Sequence, residues 1–163
     1  MNAAAVLVSA SGLEQYLHES IPLSLAMQVS VLEIGAEHVL LAAPLGPNIN
    51  HLGTAFGGSA CTLATLAAWS LLHCRLQSLL PAASLLLQSS SMHYLRPITT
   101  GFRARAQLAP EASWNLFLRT LERRGRARIA VTARLISGND EAAHFSGEFV
   151  ALAERPLRPV GRS

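Results

Sequence analysis

The stretch NINHLGTAFGG, residues 48 to 58, concentrates the side chains of this 163-residue chain best suited to chemistry. An Asn amide can hold a water or a carbonyl oxygen, and a His can serve as a base near neutral pH. Gly57 and Gly58, followed by Ser59 and an apolar run, read as a helix start whose first N–H groups lack intrahelical partners and carry the positive end of the helix dipole. Such a start can hold an anion or an oxygen that gains charge. Each group also has a plain structural reading. Two glycines let the chain turn sharply into the helix, and Asn48, Asn50 and His51 cap a loop, the Pro47-Asn48 pair suiting a turn.

A second candidate group lies in LQSSSMHYLRP. Strand alternation puts Gln88, Ser90, Met92 and Tyr94 on one face and Ser89, Ser91 and His93 on the other. If Met92 and Tyr94 pack inward, Gln88 and Ser90 become inward polar groups that need partners, whether a reacting water or a structural hydrogen-bond network. His93 is the alternative base on this strand.

Other chemistries drop out by residue type. All 13 basic residues are Arg, so Schiff-base chemistry and a lysine phosphate loop are excluded. No acidic residue stands between Glu37 and Glu111, which removes carboxylate catalysis from that segment. Cys61 and Cys74 fall in the apolar run, where thiols act as small hydrophobes, and the six histidines show no ligand spacing, so neither a disulfide nor a metal site is expected. Arginines 119, 123, 124, 126, 128 and 134 could bind phosphates, although a solvated strand face is the commoner meaning of such a run and few aromatics interleave for nucleic acid.

The elements that must position these groups follow from pattern. A single domain is expected over 1–163, with a core of about 10–153 and a frayed tail ERPLRPVGRS. A short amphipathic helix with Leu13, Tyr16, Leu17 and Ile21 at helical spacing is capped by Ser11 and stopped by Pro22. MQVSVLEIG and EHVLLAAPL form a hairpin turning at Gly35-Ala36. SACTLATLAAWSLLHCRLQSLL is apolar on nearly every face, a helix surrounded by protein that ends at Pro81. The rest reads as β, including a hairpin over 113–137 with its turn near Arg124-Gly125. That order is α+β, an antiparallel sheet wrapped around one long helix, with Ala60, Ala64 and Ala68 letting strands approach. With half the residues hydrophobic and 14% charged, a homo-oligomer is expected. The N-terminus has no basic region before its apolar patch, and Arg75 interrupts the apolar run before a membrane span is reached; a cytoplasmic location follows.

PNINHLGTAFGGS, then LAAW on the helix and HYLRP on the next strand, resembles the Putative thioesterase family of hotdog proteins, found alone or fused behind acetyltransferase domains. The similarity runs over about residues 10–153. It implies a hotdog fold, a homodimer or dimer of dimers joined edge to edge, and a site at the subunit interface near the start of the central helix. It implies an acyl-CoA or acyl-carrier-protein thioester as substrate, with coenzyme A or phosphopantetheine part of that substrate and no separate cofactor, no nucleic acid and no membrane. The Gly58 N–H becomes the oxyanion donor, with Asn50, Thr65 or Ser90 placing water. Asn48, His51, Phe56, Gly57, Ser59, Gln88, His93 and Arg96 are the expected substrate contacts. Two departures from the family pattern stand out. Phe56 occupies the place of a frequent histidine, and Thr65 that of a frequent acid. The alternative is a non-catalytic acyl-thioester binding protein with the same pocket, and an RNA-binding oligomer rests on the arginine hairpin alone.

Overall fold

The computed structural model describes residues 9–153. The apolar patch of residues 1–8 and the tail after residue 153 lie outside them. Helix α1 (Ala10–Ser20) is capped by Ser9, whose hydroxyl accepts from the Gly12 N–H at 3.0 Å. Ser9 thus takes the place expected of Ser11. Pro22 stops this helix but also starts another, α2 (Pro22–Ala26), because a proline at the first helical position loses no hydrogen bond. Strands β1 (Ser30–Ile34) and β2 (His38–Ala43) form the expected hairpin, and a 3-10 turn at Gly46–Asn48 leads toward helix α3 (Gly57–Gln77).

The sheet continues with β3 (Ser84–Tyr94), β4 (Phe102–Leu108), β5 (Arg126–Ser137) and β6 (Asp140–Leu152). All six strands pair antiparallel in the order β1-β2-β4-β5-β6-β3, around α3. This is the hotdog arrangement. Alternation explains its inner face: Val39 and Leu41, Ala104 and Ala106, Ile129, Val131 and Ala133, and Phe145, Gly147 and Phe149 are all buried, and the residues that alternate with them along each strand lie on the other face. Ala60, Ala64 and Ala68 are likewise buried, and α3 packs chiefly against β2 and β4. Small side chains on that stripe let the strands come close.

The expected hairpin over 113–137 is incorrect in its first half. Trp114–Arg124 is a helix, α4, that leads directly into β5. Ser113 caps it by accepting from the Leu116 N–H, and Gly125 ends it in the left-handed conformation at φ 70°. Its buried residues Phe117 and Leu121 stand four apart, a helical rather than a strand period. The six arginines are therefore divided, 119, 123 and 124 on α4 and 126, 128 and 134 on β5. Helix α3 ends at Gln77, four residues before Pro81. No described helix is long and apolar enough to cross a membrane.

Candidate active site

The loop from Asn48 to Phe56 is held largely by its own asparagines. Asn48 is buried, 1% exposed, and its amide donates to the Met27 carbonyl at 3.0 Å and to the Pro44 carbonyl at 2.8 Å. Its backbone carbonyl accepts from the Phe56 N–H at 2.7 Å, drawing both ends of the loop together. Asn50 spends its side chain inside the loop: Oδ1 accepts from the N–H groups of Leu52 and Thr54, and Nδ2 donates to Thr54 Oγ1 at 2.9 Å. These bonds are the loop capping that asparagine chemistry allows. His51 stands exposed at the loop's surface.

That loop aims the start of α3. No side chain caps this terminus, and the flanking Phe56 has extended backbone. The first α3 carbonyl is engaged, because the Tyr94 hydroxyl donates to the Gly57 carbonyl at 2.7 Å. Phe56, 57% exposed, folds its ring back over Gly58; a Cβ there would sit 2.9 Å from the ring's Cζ. Gly57 is crowded too, since its Cβ would meet the Tyr94 hydroxyl at 3.3 Å. The helix start is thus walled by two aromatic rings that lie close over its glycines. Ser59 is half-buried beside them.

A cavity of about 360 Å³ opens at this start, lined by Thr54, Ala55, Gly57, Ala60, Tyr94, Leu95, Arg96, Pro97 and Ile98. Arg96 lies 3.2 Å from Asp140 across the rim. Partial burial, and after it the field of Cys61, raises the Tyr94 pKa, so the phenol is a protonated donor at neutral pH. Farther along α3, Thr65 donates its hydroxyl to the Cys61 carbonyl at 2.9 Å, leaving oxygen lone pairs as acceptors. Thr62 does the same to Gly58 at 2.8 Å.

Strand β3 brings only part of its expected group together. Ser90, Met92 and Tyr94 pair with Gly147, Phe145 and Ala143 and share the inner face, as alternation expects. Gln88 does not follow them. The ladder shifts between Leu87 and Ser89, so Gln88 is the extra residue of a β-bulge with no partner in β6. Both Gln88 and Ser90 are exposed, and the Thr65 hydroxyl donates within α3 rather than to Ser90. His93 stands on the outer face opposite His144, whose ring lies 2.9 Å from Glu141.

Tyr94 and Asp140 were not singled out from the sequence as site residues. The aromatic in HYLRP was the available sign for Tyr94; the approach of Asp140 to Arg96 depends on the β5–β6 turn and carries no local signal. Among the described residues, no group of three or more His, Cys, Asp or Glu side chains is placed to hold a metal ion.

The same architecture recurs in solved structures. A protein of unknown function from Chlorobaculum tepidum superposes with a TM-score of 0.82 at 25% identity, covering 94% of this chain and all (100%) of that one. A protein described as a putative thioesterase from Shewanella oneidensis matches at 28% identity and a TM-score of 0.74, covering 88% of this chain and 96% of its own. A thioesterase from Haemophilus influenzae, at 13% identity, shares the fold with a TM-score of 0.72 over 94% of this chain and 95% of its own. Residues 10–153 match the profile of the family described as Putative thioesterase (yiiD_Cterm), and since that span holds the sheet, α3 and the cavity at its start, the chain belongs to this family.

Proposed function

We propose that the protein hydrolyses an acyl thioester, carried on coenzyme A or on an acyl carrier protein, at the start of α3. The observation that carries this reading is the uncapped helix start at Gly57-Gly58 beside a cavity bounded by Tyr94 and Arg96. The thioester carbonyl accepts from the Gly58 N–H, where the helix dipole favours the charge that develops on oxygen. Water adds to the carbonyl carbon, the tetrahedral intermediate expels the thiolate as the C–S bond breaks, and the proton lost by water ends on the departing sulfur. Thr65 orients that water through its free lone pairs and cannot deprotonate it. Arg96, exposed at the rim, meets the phosphate-bearing carrier, and Ser59, Phe56 and His93 remain candidate contacts.

The site is completed by a second copy in this reading. Among the described residues β3 pairs with β6 alone at one end of the sheet, and Leu86, Leu87 and Tyr94 along it and Leu95 just beyond it are exposed. An unpaired strand edge of eleven residues with exposed leucines near one end is what edge-to-edge association covers. The cytoplasm is the location we assign.

A second reading, a binding protein that holds acyl thioesters without turnover, is favoured by one observation. The Asn50 amide is consumed by the loop, so it is not free to activate water. Incubating the purified protein with acyl-CoAs of graded length and following thiol release separates the two. Catalytic release supports hydrolysis; saturable binding with no release supports the second reading.

A further inference from the structure

The other end of α3 carries a concavity of different character. A cleft of about 350 Å³ is lined by Glu37, His38, Arg75, Arg105, Gln107 and Leu108. Arg75 lies in the last turn of α3, roughly 27 Å along the helix axis from Gly57 at 1.5 Å per residue. Strand pairing builds the floor. His38 is opposite Gln107 and Leu40 opposite Arg105 in the β2–β4 ladder, so His38, Arg105 and Gln107 share one face.

Arg75 is unusual for a surface arginine. Its guanidinium lies 4.4 Å from the centroid of the Trp114 ring, where cation–π attraction fixes it. Packing removes water from the group, and its pKa falls through burial, with the field of Glu37 opposing. Arg96, Arg128 and Arg134 each pair with a carboxylate, yet among the described residues neither Arg75 nor Arg105 does. His38 Nε2 lies 2.8 Å from a Glu33 carboxylate oxygen but makes no hydrogen bond among the described residues. A partly desolvated guanidinium that is offset only by the field of Glu37, with no close ion pair, bears a cost that an anion would reduce, and its planar fork matches phosphate oxygens.

We propose that this cleft binds a small phosphate-bearing ligand, gripped by the Arg75 and Arg105 guanidiniums with the Gln107 amide as a further donor. Glu37 faces the same space and repels the anion, which weakens binding. The inference does not depend on thioester hydrolysis at the other end of α3.

Inorganic pyrophosphate is the probe, titrated into the full chain at constant ionic strength with Trp emission and melting temperature as readouts. Wild type is expected to saturate, and the emission change should vanish in Trp114→Phe. Arg105 is exposed on the sheet, so Arg105→Ala should fold normally and lose about tenfold or more in affinity. Arg75→Lys, which keeps charge without the fork, should bind several-fold more weakly. Glu37→Gln should bind several-fold tighter. No saturation in wild type, or an affinity that Arg105→Ala leaves unchanged, would overturn the site. So would a Glu37→Gln variant that melts lower without binding tighter, because Glu37 would then act as the structural partner of Arg75.

Discussion

The Tyr94 hydroxyl donates to the Gly57 carbonyl at 2.7 Å and joins the end of β3 to the first turn of α3. Edge strand and helix start are thereby fastened at one point, although 37 residues separate them in sequence. A substrate carbonyl bound at the helix start would feel any loosening of this tie.

Tyr94→Phe removes the hydroxyl and keeps the ring. The bond is partly solvated, with Tyr94 52% exposed, so the loss in stability should be about 0.5–1.5 kcal/mol. If the tie positions the oxyanion donors, kcat should fall by more than KM rises. Thermal melts and acyl-CoA kinetics on the same preparation check both; a change in stability alone would restrict Tyr94 to a structural role.

Gly58 and Phe56 form a second testable pair. Gly58→Ala puts a methyl into the space of the Phe56 ring and should destabilise, by about 1 kcal/mol, because a half-exposed ring can swing aside. In a Phe56→Ala background the same substitution should become neutral or stabilising, since Ala favours helix over Gly by about 1 kcal/mol. A double-mutant cycle measures the coupling. Additive effects would mean that the ring is not what demands glycine.

These relationships explain what could be read in advance. The β1–β2 hairpin was legible because Gly35-Ala36 separates two alternating runs, and α3 because its residues are apolar all round. Helix α4 was not, because the Arg-rich segment 119–128 hides the spacing of Trp114, Phe117 and Leu121 and joins a true strand without a break. The bulge at Gln88 exists only in register with β6, which no local pattern encodes. At the site, the glycines and the aromatic of HYLRP carried local signals. Loop capping by both asparagines was one of two readings open in the sequence, and the fold, which sets an asparagine's partners, selects it.

Acid should act through His73. Its ring stacks against both Trp69 and Tyr16, with centroids 4.3 and 5.0 Å away, and Nε2 has no hydrogen-bond partner among the described residues. Burial lowers its pKa from 6.5 to about 4. The unfolded chain therefore binds a proton that the folded chain refuses as pH falls from 6.5 toward 4, and stability should decline across that window by about 3 kcal/mol. The slope fades as pH rises above 6.5, where the unfolded imidazole also loses its proton. Denaturant midpoints from pH 7 to 4 test this, and His73→Phe should flatten the part of the decline due to this residue.

The β3 edge can be tested without endangering the core. Leu86 is 57% exposed, so Leu86→Glu should leave the monomer folded. If a second copy covers this edge, light scattering should report a dimer or larger for wild type and a shift toward monomer for the variant. A wild-type monomer at micromolar concentration would remove the proposed interface.

The water-placing role proposed for Thr65 can be tested directly. Its hydroxyl donates to Cys61 at 2.9 Å on a half-buried stretch of α3, two turns beyond the glycines. Thr65→Val keeps the shape and deletes the acceptor; if that oxygen orients the attacking water, hydrolysis should fall about tenfold or more with little change in melting temperature. Thr65→Asp and Thr65→Glu supply the carboxylate that the segment lacks. Partial burial should raise such a carboxylate's pKa, so any gain in rate should appear as pH rises through the new group's titration and be absent below it. Burial without a partner would also cost stability, which makes the melt an essential companion to the pH–rate profile. A gain in rate with folding intact supports water activation at this position. If Thr65→Val matches wild type and neither acid helps, Thr65 takes no part in placing water.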